Sequence, residues 1–186
     1  INLSLGSELA VQCGSASQLV FEEVTQLGVL VIAAAGNQAV PASNSWPANC
    51  RNVMSIGASL SDGNRTWFSN YGSDVDVYAP GGGIGILSTI DRGSRDPESD
   101  GYAHKSGTSM AAPIVSGIAA LVLSIDPTLT PGQVAEILRR SATDCRAGTC
   151  PQNIVNARSA VSIAGGSPPT SGEIDSEAAP PTLSAP

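Results

Sequence analysis

The sequence predicts an α/β chain built on a mainly parallel sheet. Three observations carry that expectation. Residues 29–34 form an apolar run without alternation, residues 1–34 read as strand, helix and strand in succession, and residues 108–124 form a helix that is apolar nearly all round. An unalternating run marks a strand covered on both faces. A strand–helix–strand unit this short joins parallel neighbours.

Taken in order, residues 1–5 read as a buried strand. Ser15, Ala16, Ser17 and Gln18 match a capping box, with Ser15 as N-cap and Gln18 reaching back. Ala16, Leu19, Val20, Val24 and Leu27 then recur at helical spacing, and Gly28 is placed to end the helix. A loop rich in Asn, Pro and Ser covers residues 36–52. Residues 53–58 read as a strand, with shorter candidates at 65–69 and 75–79. Pro80 and three glycines break the chain before a further strand candidate at 84–90, and charged residues 91–100 read as an exposed loop. In the apolar helix, Met110, Ala111, Ala112, Val115, Ile118, Ala119, Leu121 and Val122 predict an interior position. Pro113 is read there as tolerated near the first turn. Thr130, Pro131, Gly132 and Gln133 form a second capping box with Pro at the first helical position, and Val134, Ile137 and Leu138 give that helix its inner face. From Gly165 the composition turns to Gly, Ser, Pro, Thr, Glu and Ala. The folded domain is therefore assigned to residues 1–164 and a linker or disordered tail to 165–186.

Composition narrows the function classes. Of 186 residues, 41% are hydrophobic and only 13% charged, which suits one globular domain with a real core. A net charge of −7 with no Lys/Arg cluster argues against a nucleic-acid partner. The longest uninterrupted apolar run is of strand length, well short of the roughly 18 residues that span a bilayer, so no membrane partner is expected. The chain opens as if in the middle of a domain, which predicts that an N-terminal portion lies elsewhere. Cys13, Cys50, Cys145 and Cys150 allow three disulfide pairings. Reduced buried thiols are the alternative. The short gap between Cys145 and Cys150 suits a local staple, leaving Cys13 for Cys50. Such bridges would indicate an oxidising compartment and export.

Two segments carry chemistry. Ser109 stands in Ser106-Gly107-Thr108-Ser109-Met110-Ala111-Ala112-Pro113, at the glycine-flanked start of a buried helix. There backbone N–H groups and the helix dipole favour a developing negative charge. The same serine also suits a plain N-cap. Asn37 closes Ala33-Ala34-Ala35-Gly36-Asn37, just past a strand's C-terminal end, where ligand sites in parallel sheets gather. Its carboxamide can donate to an oxyanion. A loop Asn tolerating an unusual backbone angle is the plainer reading.

Together these segments resemble the subtilisin family. Residues 107–113 resemble its nucleophile motif, residues 33–37 its oxyanion strand, and Ser4-Leu5-Gly6 its substrate-binding edge. Phe68-Ser69-Asn70-Tyr71-Gly72 and Ala79-Pro80-Gly81 match further segments in the right order. The cysteines and Asn153-Ile154-Val155-Asn156-Ala157 are similar to the secreted, proteinase K-like bacterial branch. The resemblance implies the C-terminal portion of a three-layer subtilisin-like fold. It implies a serine endopeptidase acting on polypeptide substrates, with Ser109 as nucleophile and Asn37 as oxyanion donor. Ser4, Leu5, Gly6 and Thr108 would bind substrate, and Ala34, Ala35 and Gly36 would line an S1 pocket roomy enough for a sizeable apolar side chain. It further implies a structural calcium held by the carbonyls of Arg51 and Val53 and the carboxylate of Asp76, because loop carbonyls with one carboxylate suit a hard cation.

One departure matters. The family's Asp and His motifs precede the segment resembled by Ile1, so the triad's base is expected from a missing N-terminal half. This chain alone is expected to be inactive, since an unassisted serine hydroxyl is a weak nucleophile. The resemblance gives His104 no role, and it reads as an exposed loop residue. An α/β-hydrolase esterase is the rival enzyme class. It requires a His after the nucleophile, and none follows Ser109. A pseudo-peptidase fragment that binds peptides without catalysis is the rival from another class.

Overall fold

A computed structural model describes residues 1–93, 96–142 and 153–166. Four strands form a parallel sheet in the order β1 (Asn2–Leu3), β2 (Val31–Ala34), β3 (Val53–Ser59) and β4 (Val77–Pro80). In register, Asn2 pairs with Ile32, Ile32 with Met54, and Ala34 with Ile56, which in turn pairs with Val77. Helix α1 (Ser15–Gln26) lies between β1 and β2 in the chain. A separate antiparallel ribbon joins β5 (Ile86–Asp91) to β6 (Asp100–Lys105). Among the described residues three α-helices follow: α2 (Thr108–Ile125), α3 (Pro131–Ser141) and α4 (Ala157–Ala164).

Every residue of β2 and β3 is buried. Because successive side chains point to opposite faces, the two sheet faces build two cores. On one, Ile32, Met54, Ile56 and Val77 pack with Val115 and Val122 of α2, Leu138 of α3 and Ala160 of α4. On the other, Val31, Ala33 and Val53 pack with Phe21 and Val24 of α1, Trp46 and the Cys13–Cys50 disulfide. The result is a three-layer arrangement with helices on both sides. Small residues permit it: a side chain in place of Gly57 on β3 would overlap the Tyr78 ring. With 18 residues and a mean hydropathy of 1.9, α2 is long and apolar enough to cross a bilayer. Here it is a core helix, with Ala111, Val115, Ile118 and Val122 buried on the sheet.

Several local expectations need correction. Gly14, not Ser15, is the N-cap of α1, and no side chain caps that end; the Gln18 carboxamide is instead spent on Arg51. Gly28 does end the helix, at φ 85. Residues 65–69 do not form a strand; only Arg65 bridges, to Ser59. His104 lies on β6 rather than in a loop, and α4 was not foreseen. The Thr130 capping box is present on both sides. Cys145 and Cys150 lie outside the described residues, as does the tail from residue 167.

Candidate active site

The site forms where β1, the end of β2 and the start of α2 converge. Gly107 is the N-cap of α2, and its N–H donates to the Gly81 carbonyl (2.7 Å), tying the turn after β4 to the helix start. Ser109 is therefore the second residue of α2 and not its cap. It sits in the first turn, where backbone N–H groups lack intrahelical partners. Pro113 falls in the second turn, deeper than expected. It has no N–H to give to the residue four positions back, which is Ser109. The Ser4 hydroxyl takes up that carbonyl, donating to Ser109 O at 2.7 Å, while the Ser109 hydroxyl donates to Ser4 O at 3.2 Å.

Asn37 lies just past β2. Its backbone φ is not positive, unlike Ala39, Asn52 and Asn153, so an unusual backbone angle does not explain it. Its side chain has a defined use. Oδ1 accepts from the Thr108 N–H (2.9 Å) and from the Thr108 hydroxyl (3.0 Å), and the Thr108 Oγ1 accepts from the Gly36 N–H (3.2 Å). A backbone N–H can only donate, so the carboxamide oxygen must face Thr108. Nδ2 is then the outward donor, lying against Gly107. Beside this pair opens a cleft of about 260 Å³, lined by Leu5, Gly6, Ala34, Gly36 and Ser109, with Glu8 and Gln38 also on its wall. Ala35 is not part of that lining; it is fully buried against Ala42, Val75 and Tyr78.

Two of the three candidate calcium ligands have protein partners in this arrangement. Asp76 Oδ1 holds the Arg139 guanidinium at 2.8 Å, and Oδ2 accepts the Ser55 N–H at 2.7 Å. The Arg51 carbonyl accepts from Gln18 Nε2 at 3.2 Å. The Arg139 guanidinium stands beside Asp76 Oδ1, where a metal would bind, while the Arg51 carbonyl, with one hydrogen bond, keeps a second lone pair. The Arg51 guanidinium meanwhile hydrogen-bonds Glu22 and holds that carboxyl below its ordinary range. Among the described residues no group of three or more His, Cys, Asp or Glu could hold a metal.

The profile of the subtilase family (peptidase S8) matches residues 1–160. The chain belongs to the subtilase family. It is 47% identical over 147 residues to an extracellular basic protease of Dichelobacter nodosus, covering 77% of this chain and 24% of that protein. It is 43% identical over 168 residues to an extracellular protease of Xanthomonas campestris, covering 88% and 28% respectively. The chain thus spans about a quarter of the length of these curated relatives. Among solved structures, proteases from Pseudoalteromonas arctica match with a TM-score of 0.83 and 39% identity, covering 88% of this chain and 50% of that one. A cold-adapted subtilisin-like serine proteinase matches with a TM-score of 0.67 and 34% identity, covering 82% and 52%.

In this subtilase, the sequence points to Leu5, Gly6, Ala34, Gly36 and Ser109 of the cleft but not to Glu8 and Gln38 on its wall, nor to the role of Asn70 behind it. Gln38, next to Asn37, accepts the Asn37 N–H through Oε1 at 3.0 Å. In the sequence, Asn70 stands out only within Phe68-Ser69-Asn70-Tyr71-Gly72. Its side chain makes five of the hydrogen bonds that shape residues 35–45. His104 is exposed on β6, its Nδ1 3.3 Å from the Gly85 carbonyl oxygen.

Proposed function

We propose that this chain supplies the nucleophile, the oxyanion donors and part of the substrate cleft of an exported serine endopeptidase. The observation that carries the reading is the junction of Ser109 at the start of α2 with an Asn37 carboxamide whose oxygen is pinned by Thr108. A peptide lying along Ser4, Leu5 and Gly6 would add as a strand beside this edge. Its P1 side chain would enter the cleft beside Ala34 and Gly36, where small residues leave room for a large apolar group. The Ser109 oxygen attacks the scissile carbonyl carbon. Its proton passes to an imidazole from the remainder of the protein and then to the leaving amine as the C–N bond breaks. Asn37 Nδ2 and the Ser109 N–H stabilise the oxyanion. Water, activated by the same imidazole, then hydrolyses the acyl-serine and restores Ser109.

On this reading the triad's Asp and His belong to a portion outside this sequence, and the chain alone is inactive. Export is supported by the names of the extracellular relatives and by the Cys13–Cys50 bridge. Labelling the full-length protein with a fluorophosphonate probe tests the proposal. Modification at Ser109, lost together with peptide hydrolysis in Ser109→Ala, is the expected result. A full-length protein that binds peptides but neither reacts nor hydrolyses would leave a binding module instead.

A further inference from the structure

Asn70 is completely buried. Its Nδ2 donates to Ala35 O (2.9 Å), to Ser45 Oγ (2.7 Å) and, more weakly, to Gln38 Oε1 (3.3 Å), and its Oδ1 accepts from the N–H groups of Gln38 (3.0 Å) and Val40 (3.1 Å). Its own N–H donates to Gly36 O at 3.0 Å. Two backbone donors at one end and a backbone acceptor at the other permit only one orientation of the carboxamide. Asn37, the residue in the middle of this span, has its N–H held by Gln38. Gly36 adopts φ 105, and a Cβ there would overlap the Asn70 carboxamide. The loop that carries Asn37 is thus wrapped around one buried side chain, which lies outside the cleft lining.

We propose that Asn70 is a positioning residue for the oxyanion donor. Its carboxamide is the template that sets residues 35–40, and through them the place of Asn37 Nδ2 relative to Ser109. The inference rests on the reading of Asn37 given above. Asp at position 70 would match the size but not the chemistry. It keeps the two acceptor contacts, loses the donor to Ala35, Ser45 and Gln38, and sets a buried carboxylate against carbonyl oxygens.

The test is a double-mutant cycle in the full-length protein, read as kcat and KM on a chromogenic peptide anilide with thermal unfolding followed in parallel. Asn37→Ala is expected to lower kcat by roughly 10²–10³-fold, the range already established for losing such a donor in a subtilisin. Asn70→Asp is expected to lower kcat by roughly 10–10²-fold with KM nearly unchanged, as a misplaced catalytic group does. In the Asn37→Ala background the same substitution should cost no further kcat, because residues acting as one unit are not additive. Equal losses in both backgrounds, or no loss in a folded Asn70→Asp protein, would overturn the proposal. Should Asn70→Asp not fold, Ser45→Ala removes one acceptor alone. It should give a smaller loss that likewise vanishes without Asn37; a loss that persists there overturns the proposal too. If Asn37→Ala leaves kcat intact, the oxyanion assignment itself falls and takes this inference with it, an outcome distinct from additivity.

Discussion

Tyr78 shows how one side chain can link packing to pH. Its ring lies over Gly57, in the space a larger residue on β3 would fill, and only 7% of it is exposed. Burial, partly opposed by the nearby Arg65 charge, pushes its hydroxyl above the usual tyrosine range. The folded chain then holds that proton more tightly than the unfolded chain does. The associated stability is present in full below a pH of about 10 and is lost as pH rises through the shifted value. Urea midpoints at neutral and strongly alkaline pH should diverge, and Tyr78→Phe should reduce the divergence. Residue type alone indicated that Asn37 could donate. Which end of its amide faces outward was not legible, because Thr108 decides it from a segment far along the chain.

Elements were legible in proportion to how much of them is buried. α2 is buried along one side only and leaves Leu121, Leu123 and Ile125 exposed, so it is less interior than its all-round apolar sequence predicts. β2 and β3 announce themselves because both sheet faces meet apolar neighbours. β6 does not, because Asp100 to Lys105 are exposed or half-buried and pair only with β5, so no hydrophobic alternation marks them. Ser15 misled because its sequence context suits a cap, yet Gln18 is drawn away to Arg51. The α3 cap was read correctly, since both partners of the box are local. Thr130 Oγ1 accepts from the Gln133 N–H at 3.3 Å, and Gln133 Oε1 accepts from the Thr130 N–H at 2.8 Å. Thr130→Ala should destabilise the chain by about 1 kcal/mol in urea unfolding, while Thr130→Ser should recover most of it.

For the whole molecule, the fold class and three-layer design were legible, and the family comparisons agree with them. Long-range polar links were not legible, because nothing in local spacing signals that Arg139 will meet Asp76 or that Asn70 will fill the loop after β2. The Cys13–Cys50 bridge joins segments 37 residues apart and pins the layer that carries α1. On the chain-entropy account, removing it with paired Cys→Ser changes should cost on the order of 4 kcal/mol, read as a lowered urea midpoint. The reciprocal bonds between Ser4 and Ser109 have a mechanical meaning as well. A proline that denies α2 one internal hydrogen bond turns the freed carbonyl into a locating pin. The segment after β1 cannot slip one residue along α2 without breaking both bonds, so the main chain at Ser4 is indexed to the Ser109 oxygen.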